Sequence, residues 1–340
     1  PLDQFINIAL YNKKLGYYMK KNPFGKEGDF ITAPIISNLF GEMLAVWCVA
    51  FWENIGKPNK ILLVELGPGD GSLCKNLLKT FKTFKNFYDS LEINLLEISD
   101  KLKKIQKIKI NNKKVKWINN VNEINFGPII FIGNEFFDAL PVKQIYKKNK
   151  IFFEKYVSLS NDNKKIKFLH KKANNALIKK IQNLNLVSDG NTIEYPIEAI
   201  KFLKDIAKKI NKYDGGLIAF DYGYTVEKNQ NTLQSVKNHK YSDIFLNPGY
   251  SDITSHINFK LFYKILGEND LDVKNITKQG EFLKKIGILE RANILSKKMT
   301  FKEKANMFYR LKRLLDPNEM GDLFKVIFAK KKGKNFSLGF

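Results

Sequence analysis

The chain has 340 residues, 44% of them hydrophobic, and a formal net charge of +24 at pH 7. A chain of this length can bury a sizeable core, and its notable apolar run, residues 44–52, is far shorter than the roughly 20 residues that a membrane-spanning helix needs. The sequence therefore predicts a folded protein with no membrane insertion.

The positive charge raises nucleic acid as a partner, but the composition argues against it. Guanidinium groups, the forked donors that dominate recognition of bases and phosphates, occur only at Arg291, Arg310 and Arg313. Lysine and asparagine are spread along the whole chain, which indicates a general compositional bias. We therefore expect no nucleic-acid partner.

Cysteine use and the first residues bear on the cellular compartment. Cys48 and Cys74 lie in apolar or helical contexts and lack the spacing of a metal site. Because no signal-peptide pattern opens the chain either, a reducing compartment is favoured. We expect a bacterial cytoplasm, with the mitochondrial matrix as the alternative.

Residues 1–58 predict helices separated by a loop. Apolar periodicity indicates a helix over residues 2–18, and a glycine-rich loop covers residues 22–37. Ser37 is a residue type suited to an N-cap. The run 37–55 that it opens has apolar residues on several faces, which predicts a mostly buried helix.

Residues 59–141 alternate between short apolar runs and helical stretches. A helix is expected over residues 72–84, and the apolar runs predict four strands, at residues 61–66, 90–98, 115–118 and 128–135. Such alternation is typical of a parallel sheet with helices on both faces. The fold class indicated is α/β.

Beyond residue 141 the pattern changes and then returns. The segments predicted are an antiparallel β excursion with three β-like runs (142–195), a core return with a helix and a strand (196–223), an insertion (224–320) and a region with the final strand (321–340). The insertion begins with a long polar loop, residues 224–255, and continues with three helical patterns. Since no internal repeat or clear linker is present, we expect one elaborated domain over residues 1–340.

The stretch VELGPGDGSL places three glycines between a predicted strand and a predicted helix. Gly67, Gly69 and Gly71 allow a ligand to approach the backbone closely, where free helix N–H groups point outward. The alternative is a tight turn that holds no ligand. The spacing GxGxG differs from the GxGxxG of dinucleotide-binding proteins, which lowers the case for NAD and for an NAD-dependent oxidoreductase.

Acidic residues near this turn indicate the kind of ligand. Glu97 ends the next predicted strand, where a carboxylate can accept both ribose hydroxyls, although an exposed strand end is the plainer interpretation. Glu65 and Asp70 add carboxylates beside the glycines. This charge disfavours a pyrophosphate and favours a sulfonium compound with an amino group. The pocket therefore predicts S-adenosylmethionine as cofactor.

The fourth predicted strand ends in NEFFDALP, at the same edge of the sheet. Asn134, Glu135 and Asp138 fit a polar clamp that holds a nitrogen nucleophile and pairs with a cationic substrate. An ordinary helix start would explain them too, with Asn134 as the cap and the two acids complementing the helix dipole.

The segment NHKYSDIFLNPGYSDITSHINF contains two histidines and several acids. No pair of them has the compact spacing of a zinc or facial-triad site, so we expect no metal. Thr254 or Ser255 also fits an ordinary helix cap.

A series of motifs resembles the MidA-like methyltransferases over nearly the whole chain. The motifs are, in order, GYYM, GDFITAP with FGEM, VELGPGDGSL, NEFFDALPVKQ, GGLIAFDYG, TLQSVKNHKYSD and NPGYSDITSHINF. The family has a class I, Rossmann-like methyltransferase fold and includes a mitochondrial complex I assembly factor. The resemblance implies S-adenosylmethionine-dependent N-methylation of a protein arginine, with a core subunit of respiratory complex I as the protein substrate.

The resemblance also implies roles for individual residues. The cofactor turn comprises Glu65, Gly67, Gly69 and Gly71, with Glu97 as the ribose acid; Asp70 departs from what the family leads us to expect at its position. Thr32 belongs to a lid over the cofactor. The insertion, expected on the substrate side, contributes candidate substrate-binding residues at His239, Tyr241, Asp252 and His256.

The expected chemistry assigns proton acceptance to carboxylates, because guanidinium is almost fully protonated at neutral pH. We expect Glu135 and Asp138 to share this task, Asn134 to accept a substrate hydrogen bond, and Asp221 to be the reserve candidate on the substrate side. The competing hypothesis is an assembly protein that retains the cofactor pocket but acts mainly by binding a respiratory subunit. A homodimer is left open.

Overall fold

The architecture is described from a computed structural model covering residues 1–20, 23, 32–162, 165–188, 192–226, 228–229, 231–237 and 240–340. Four helices lie near the beginning of the chain: α1 (Leu2–Tyr11), α2 (Tyr17–Lys20), α3 (Ala33–Ile36) and α4 (Asn38–Asn54). The buried helix predicted after Ser37 is confirmed, and the Ser37 hydroxyl accepts a hydrogen bond from the Leu39 N–H at 3.3 Å. The helix predicted over residues 2–18 is instead two helices, α1 and α2.

The central sheet begins in the segment with alternating strands and helices. Its elements are β1 (Ile61–Leu66), α5 (Ser72–Phe81), α6 (Lys85–Ser90), β2 (Leu91–Leu96), α7 (Asp100–Ile110), β3 (Val115–Ile118), a 3-10 turn (Val121–Glu123) and β4 (Ile129–Asn134). The four predicted strands are confirmed, two of them at their predicted bounds. The helix predicted to end at residue 84 ends at Phe81, and α6 follows it as a separate helix.

The predicted antiparallel excursion is also confirmed. Its elements are β5 (Lys143–Lys148), β6 (Ile151–Leu159), β7 (Ile166–Lys172), α8 (Asn175–Asn183), β8 (Val187–Ser188) and β9 (Thr192–Tyr195). Strands β7, β6, β5 and β9 form an antiparallel sheet in that order. The chain then returns to the central sheet through α9 (Ile197–Tyr213) and β10 (Gly215–Tyr224).

The final third of the chain contains more strands than its sequence predicts. Its elements are β11 (Lys228–Asn229), β12 (Gln234–Lys237), β13 (Lys240–Ser242), β14 (Asp252–Thr254), β15 (Ile257–Asn258), α10 (Phe259–Glu268), β16 (Leu271–Val273), β17 (Thr277–Lys278), α11 (Gln279–Lys285), α12 (Ile288–Ser296), α13 (Phe301–Leu315), α14 (Met320–Leu323) and β18 (Phe324–Lys331). The region predicted as one long loop thus includes a small antiparallel sheet of β13, β12 and β14.

Two local features explain the helical differences in this third. Gly287 adopts a left-handed conformation, with φ of 92°, and separates α11 from α12, so more than the three predicted helices form. Helix α10 is capped by Asn258, whose side chain accepts a hydrogen bond from the Leu261 N–H at 3.1 Å. The interpretation of Thr254 or Ser255 as its cap is therefore wrong.

The central sheet has the strand order β16, β18, β10, β4, β1, β2, β3. The five strands from β10 to β3 are mutually parallel, and β18 runs antiparallel to β10. Successive residues of β1 pack into different layers: Leu63 joins the cluster around α4 and α5, while Leu62 joins the cluster around α9 and α10. The predicted mostly parallel sheet with helices on both faces is confirmed.

Parallel strands place their carboxyl ends along one edge of the sheet, and this edge positions the candidate site. The edge collects the residues that follow β1, β2, β4 and β10. Within the described ranges, the structure contains no helix that is both long and apolar enough to cross a membrane.

Candidate active site

The turn after β1 favours glycine at all three of its glycine positions. Gly67, Gly69 and Gly71 have φ values of 60°, 56° and 81°, in the left-handed region that side-chain-bearing residues rarely adopt. A Cβ atom on Gly67 would lie 2.8 Å from Cδ2 of Phe136. At these three positions the turn presents backbone, and no side chain of its own, to the carboxyl edge of the sheet, as the sequence predicts.

A cavity of about 280 Å³ lies along this edge, beside the turn. A second, smaller cavity of about 30 Å³ lies next to β1 and the start of α5. Predicted site residues from five separate segments line one cavity or both: Thr32, Glu65, Gly67, Gly69, Glu97, Asn134, Glu135, Asp138 and Asp252. The fold thus brings most of the predicted residues together.

Glu65 is the acid next to the turn and is 3% exposed. Its Oε2 atom has no hydrogen-bond partner among the described residues. Burial, with a smaller contribution from the charge of Asp70, raises the pKa of Glu65 to about 8. A cationic donor placed in the smaller cavity would satisfy this oxygen and stabilise the carboxylate.

Glu97 lies at the end of β2, on the wall of the larger cavity. One carboxylate oxygen accepts a hydrogen bond from the Ser99 N–H at 2.7 Å, and the other accepts from the Gln106 amide at 3.0 Å. Burial raises the pKa of Glu97, while both donors oppose that rise. Since an ionised carboxylate has about four acceptor sites, this arrangement still suits a pair of hydroxyl donors.

Asp70 differs from the other acids near the turn because it is already paired. One oxygen accepts a hydrogen bond from the Lys109 ammonium at 2.5 Å, and the other accepts from the Ser72 N–H at 2.9 Å, at the start of α5. Asp70 therefore adds little unpaired negative charge to the pocket, contrary to the expectation from the sequence. Glu65 and Glu97 carry the charge argument for a sulfonium ligand without Asp70.

Asn134 is the last residue of β4, Glu135 and Asp138 follow it in a turn, and no helix begins there. The interpretation of Asn134 as a helix cap is therefore wrong. Glu135 has a φ of 53°, an uncommon value for a residue with a side chain, and its N–H donates to the carbonyl of Phe220 at 2.9 Å. Such strain often accompanies functional positions.

Two side-chain oxygens at this turn are available to accept hydrogen bonds from a ligand. The Asn134 amide donates to Oε1 of Glu135 at 3.1 Å, while Oδ1 of Asn134 and Oδ1 of Asp138 have no partner among the described residues. Burial raises the pKa of Glu135 to about 8 and that of Asp138 to about 6. The Tyr222 hydroxyl donates to the other oxygen of Asp138 at 2.5 Å and opposes the rise at Asp138.

The predicted substrate-side residues divide into two groups. Asp252 lines the larger cavity and accepts a hydrogen bond from the Tyr18 hydroxyl at 2.9 Å. Tyr241 lies on β13 with 80% of its surface exposed, and neither it nor the half-buried His256 lines a described cavity. His239 lies outside the described residues.

Asp221, like Tyr241 and His256, does not line a described cavity. It is 1% exposed, and one of its oxygens accepts hydrogen bonds from the N–H groups of Phe137 and Asp138, at 3.0 and 3.2 Å. It therefore holds the turn after β4 from behind.

Three tyrosines on the cavity wall were not identified from the sequence as site residues. Tyr11 and Tyr18 come from α1 and α2, and Tyr222 comes from β10. The rings of Tyr11 and Tyr18 stack with centroids 5.7 Å apart, and the Tyr11 hydroxyl donates to the carbonyl of Ala139 at 2.9 Å. Tyr18 lies within the motif GYYM and Tyr222 within FDYG, so two of the motifs quoted for the resemblance did contain a signal.

Comparisons with known proteins identify the family of this chain. Residues 43–277 match a family model described as "Putative S-adenosyl-L-methionine-dependent methyltransferase". Protein arginine methyltransferase NDUFAF7, mitochondrial, from Xenopus laevis is 31% identical over 95% of this chain and 79% of its own length. The Homo sapiens protein of the same name is 26% identical, over 94% of this chain and 78% of its own.

A solved structure shows the same fold. A Burkholderia thailandensis protein crystallised with S-adenosyl-homocysteine superposes with a TM-score of 0.84 at 24% identity, covering 100% of this chain and 89% of that one. The fold class predicted from the resemblance is confirmed by this similarity. The chain belongs to the family of S-adenosyl-L-methionine-dependent methyltransferases that its motifs indicated, and its cofactor is S-adenosyl-L-methionine.

Proposed function

We propose that this methyltransferase modifies a guanidinium nitrogen of an arginine in a protein substrate. The observation that carries the proposal is the composition of the larger cavity beyond the cofactor turn. Glu135, Asp138 and Asp252 place three carboxyl groups there, among the rings of Tyr11, Tyr18 and Tyr222. A planar cation with several N–H donors suits such a wall, because carboxylates accept its hydrogen bonds and aromatic faces attract its charge.

The cofactor side of the proposal rests on the residues around the turn. S-adenosylmethionine would lie against the backbone at Gly67 and Gly69. The Glu97 carboxylate would hold its ribose, and the unpartnered oxygen of Glu65 would hold its amino group. Thr32 lines both cavities, and this position supports the prediction that it lies beside the cofactor. When bound, S-adenosylmethionine supplies an electrophilic methyl group.

The chain's own residues then have three tasks. The free oxygen of Asn134 accepts a hydrogen bond from the guanidinium and orients it. Asp138 and Glu135 spread its positive charge and accept the proton that the methylated nitrogen releases. Tyr222 occupies one oxygen of Asp138, which leaves the unpartnered oxygen to accept from the guanidinium.

The names of the relatives support arginine as the residue modified, since they describe protein arginine methyltransferases. The protein substrate implied by the motif resemblance is a core subunit of respiratory complex I, and we adopt it as the candidate to be tested. The relatives' names also describe mitochondrial proteins. For this chain, a bacterial cytoplasm or a mitochondrial matrix stays a prediction.

The test combines purified protein, methyl-labelled S-adenosylmethionine and the candidate complex I subunit. We expect label on one or more arginines, located by mass spectrometry, and no label when those arginines are replaced by lysine. Label on another residue type would contradict the proposal. Cofactor binding without any transfer would favour the competing role, in which the protein acts mainly by binding the subunit.

Two substitutions test the assigned residues. Glu135→Gln and Asp138→Asn should bind S-adenosylhomocysteine as the unmodified protein does, yet transfer methyl groups about 100-fold more slowly, because each loses a proton acceptor. Glu268→Gln, at a half-exposed carboxylate on α10, is the matched control. Wild-type rates in both active-site variants would refute the assignment.

A further inference from the structure

A buried amide lies behind the cofactor turn and connects its parts. Gln106, on α7, is fully buried. Its amide nitrogen donates to the carbonyl of Gly69 at 2.8 Å and to Oε2 of Glu97 at 3.0 Å. Its amide oxygen accepts a hydrogen bond from the Trp117 indole at 2.8 Å. One side chain thus joins the glycine turn, the acid at the end of β2, and strand β3.

Trp117 determines which way this amide points. An indole N–H can only donate, so it requires the oxygen of Gln106 on its side. The opposite side then presents two N–H donors, one to the Gly69 carbonyl and one to the Glu97 carboxylate. A carbonyl oxygen is an acceptor only, and so is each carboxylate oxygen of Glu97 when Glu97 is ionised. A flipped amide would place oxygen against oxygen at both contacts. The orientation therefore follows from the hydrogen-bond partners.

The network leaves Glu97 with a defined set of unused acceptor positions. The Ser99 N–H and Gln106 each engage one carboxylate oxygen and fix the plane of the carboxylate. Each oxygen keeps acceptor capacity, and Glu97 lines the larger cavity. Two neighbouring hydroxyls, as on a ribose, can donate to both oxygens at once only when that plane is held.

We propose that Gln106, oriented by Trp117, is the positioning residue for ribose recognition in this methyltransferase. Gln106 is not among the residues that line either described cavity, so it acts through Glu97 and Gly69. This role rests on the ribose-binding function proposed for Glu97: Gln106 couples the conformation of the glycine turn to the orientation of that carboxylate.

The test measures ribose recognition directly, by calorimetric binding of S-adenosylhomocysteine and of its 2′-deoxyribose analogue. For the unmodified protein we expect the lost hydroxyl to weaken binding by about 10- to 100-fold, the range for a hydrogen bond to a charged group. In Gln106→Met this ratio should fall to within about 3-fold, since the carboxylate is no longer held. A variant that weakens both ligands by the same factor, leaving the ratio unchanged, would overturn the proposal.

Controls separate positioning from general stability. Gln279→Met replaces another fully buried glutamine, one that donates to the carbonyl of Leu314, and should leave the ratio unchanged. Trp117→Phe keeps Gln106 but removes its orienting donor, and the ratio should fall by at least about 3-fold. If Gln106→Met does not fold, Trp117→Phe decides the matter, and a wild-type ratio there refutes the proposal. Because no methyl acceptor takes part, the outcome is independent of the proposed arginine substrate.

Discussion

At the scale of single residues, the carboxyl groups of the site differ in whether hydrogen-bond or ion-pair partners within the protein already engage their oxygens. Glu65 and Asp138 each bury one oxygen without a hydrogen-bond partner in the described part of the chain, whereas Asp70 is neutralised by Lys109 and Asp221 is occupied by backbone donors. An unsatisfied buried carboxylate destabilises a protein unless a ligand completes it. The unsatisfied acids therefore indicate where ligands belong.

The stability of the cofactor-free protein should depend on Glu65 with a definite sign. Its pKa is about 8 in the folded protein and near its ordinary value of 4.5 when unfolded, so folding takes up a proton between these values. The contribution of Glu65 to stability is complete below pH 4.5 and is lost as the pH rises through 8. Glu65→Gln removes this pH dependence. The difference in unfolding free energy between the variant and the unmodified protein should therefore increase in favour of the variant by roughly 2–3 kcal/mol from pH 6 to pH 9.

Urea unfolding at the two pH values measures this difference, and calorimetry should show that Glu65→Gln also binds S-adenosylhomocysteine more weakly. An equal gain in stability at both pH values would mean that Glu65 is ionised throughout.

A second residue-scale prediction concerns Tyr222. Its hydroxyl donates to Asp138 and holds the pKa of that acid down to about 6, against burial and beside the acids Glu135 and Asp221. If methyl transfer needs ionised Asp138, activity increases as the pH rises through this pKa. Tyr222→Phe removes the donor, so the acidic limb of the kcat/KM profile should move to higher pH by about one unit.

Steady-state methyl transfer between pH 5 and pH 9 measures this shift. Tyr241→Phe, which removes a hydroxyl at an exposed position, should leave the profile in place. A proportional loss at every pH in Tyr222→Phe would mean that Tyr222 does not control the ionisation of Asp138.

At the scale of elements, the strand–turn–helix unit from β1 to α5 is a local structure with a local sequence requirement. Its strand is buried at every position, and each glycine of its turn has a positive φ. Apolar continuity and glycine spacing encode both features, which explains why the sequence predicted this unit with the correct strand bounds. The turn after β4 has no such code, and only the structure shows that no helix begins there.

The turn makes a direct prediction for Gly69→Val. A β-branched residue at a φ of 56° is strained, and Gly69 lines both cavities, where the cofactor is expected to approach the backbone. S-adenosylhomocysteine binding should weaken by about 10- to 100-fold while circular dichroism shows a retained fold. Gly267→Val, on α10 with open space around the added Cβ, is the matched control and should bind normally. Normal binding by Gly69→Val would refute the assigned turn.

At the scale of the whole molecule, the lining of the larger cavity comes from different parts of the chain. Gly67, Gly69 and Glu97 follow strands of the central sheet, whereas Tyr11 and Tyr18 come from helices near the beginning of the chain. Those helices pack through a small apolar cluster that includes Leu2, Ile6 and Leu10 together with Val142 and Ile253. The lining around Tyr11 and Tyr18, which is the proposed substrate end of the cavity, is therefore assembled by long-range packing.

This division predicts separable effects on cofactor and substrate. The double variant Tyr11→Phe, Tyr18→Phe removes two hydroxyls at the substrate end and keeps the rings. Its Kd for S-adenosylhomocysteine should stay within about 3-fold of the unmodified value, while the KM for the arginine substrate should rise by about 10-fold. Tyr309→Phe, at an exposed position on α13, is the control. A large loss of cofactor affinity would show that these helices serve the cofactor end instead.

The sequence alone determined the α/β class, the strands of the central sheet, the glycine turn and the acids that favour S-adenosylmethionine. These depend on periodicity, apolar runs and spacing, which are properties of neighbouring residues. Only the tertiary structure decided that Lys109 neutralises Asp70, that Asp221 faces the turn after β4, and that Tyr11 and Tyr18 reach the cavity. Each of these contacts joins segments far apart in the chain, and such pairs form through packing of the folded layers, which local pattern does not encode.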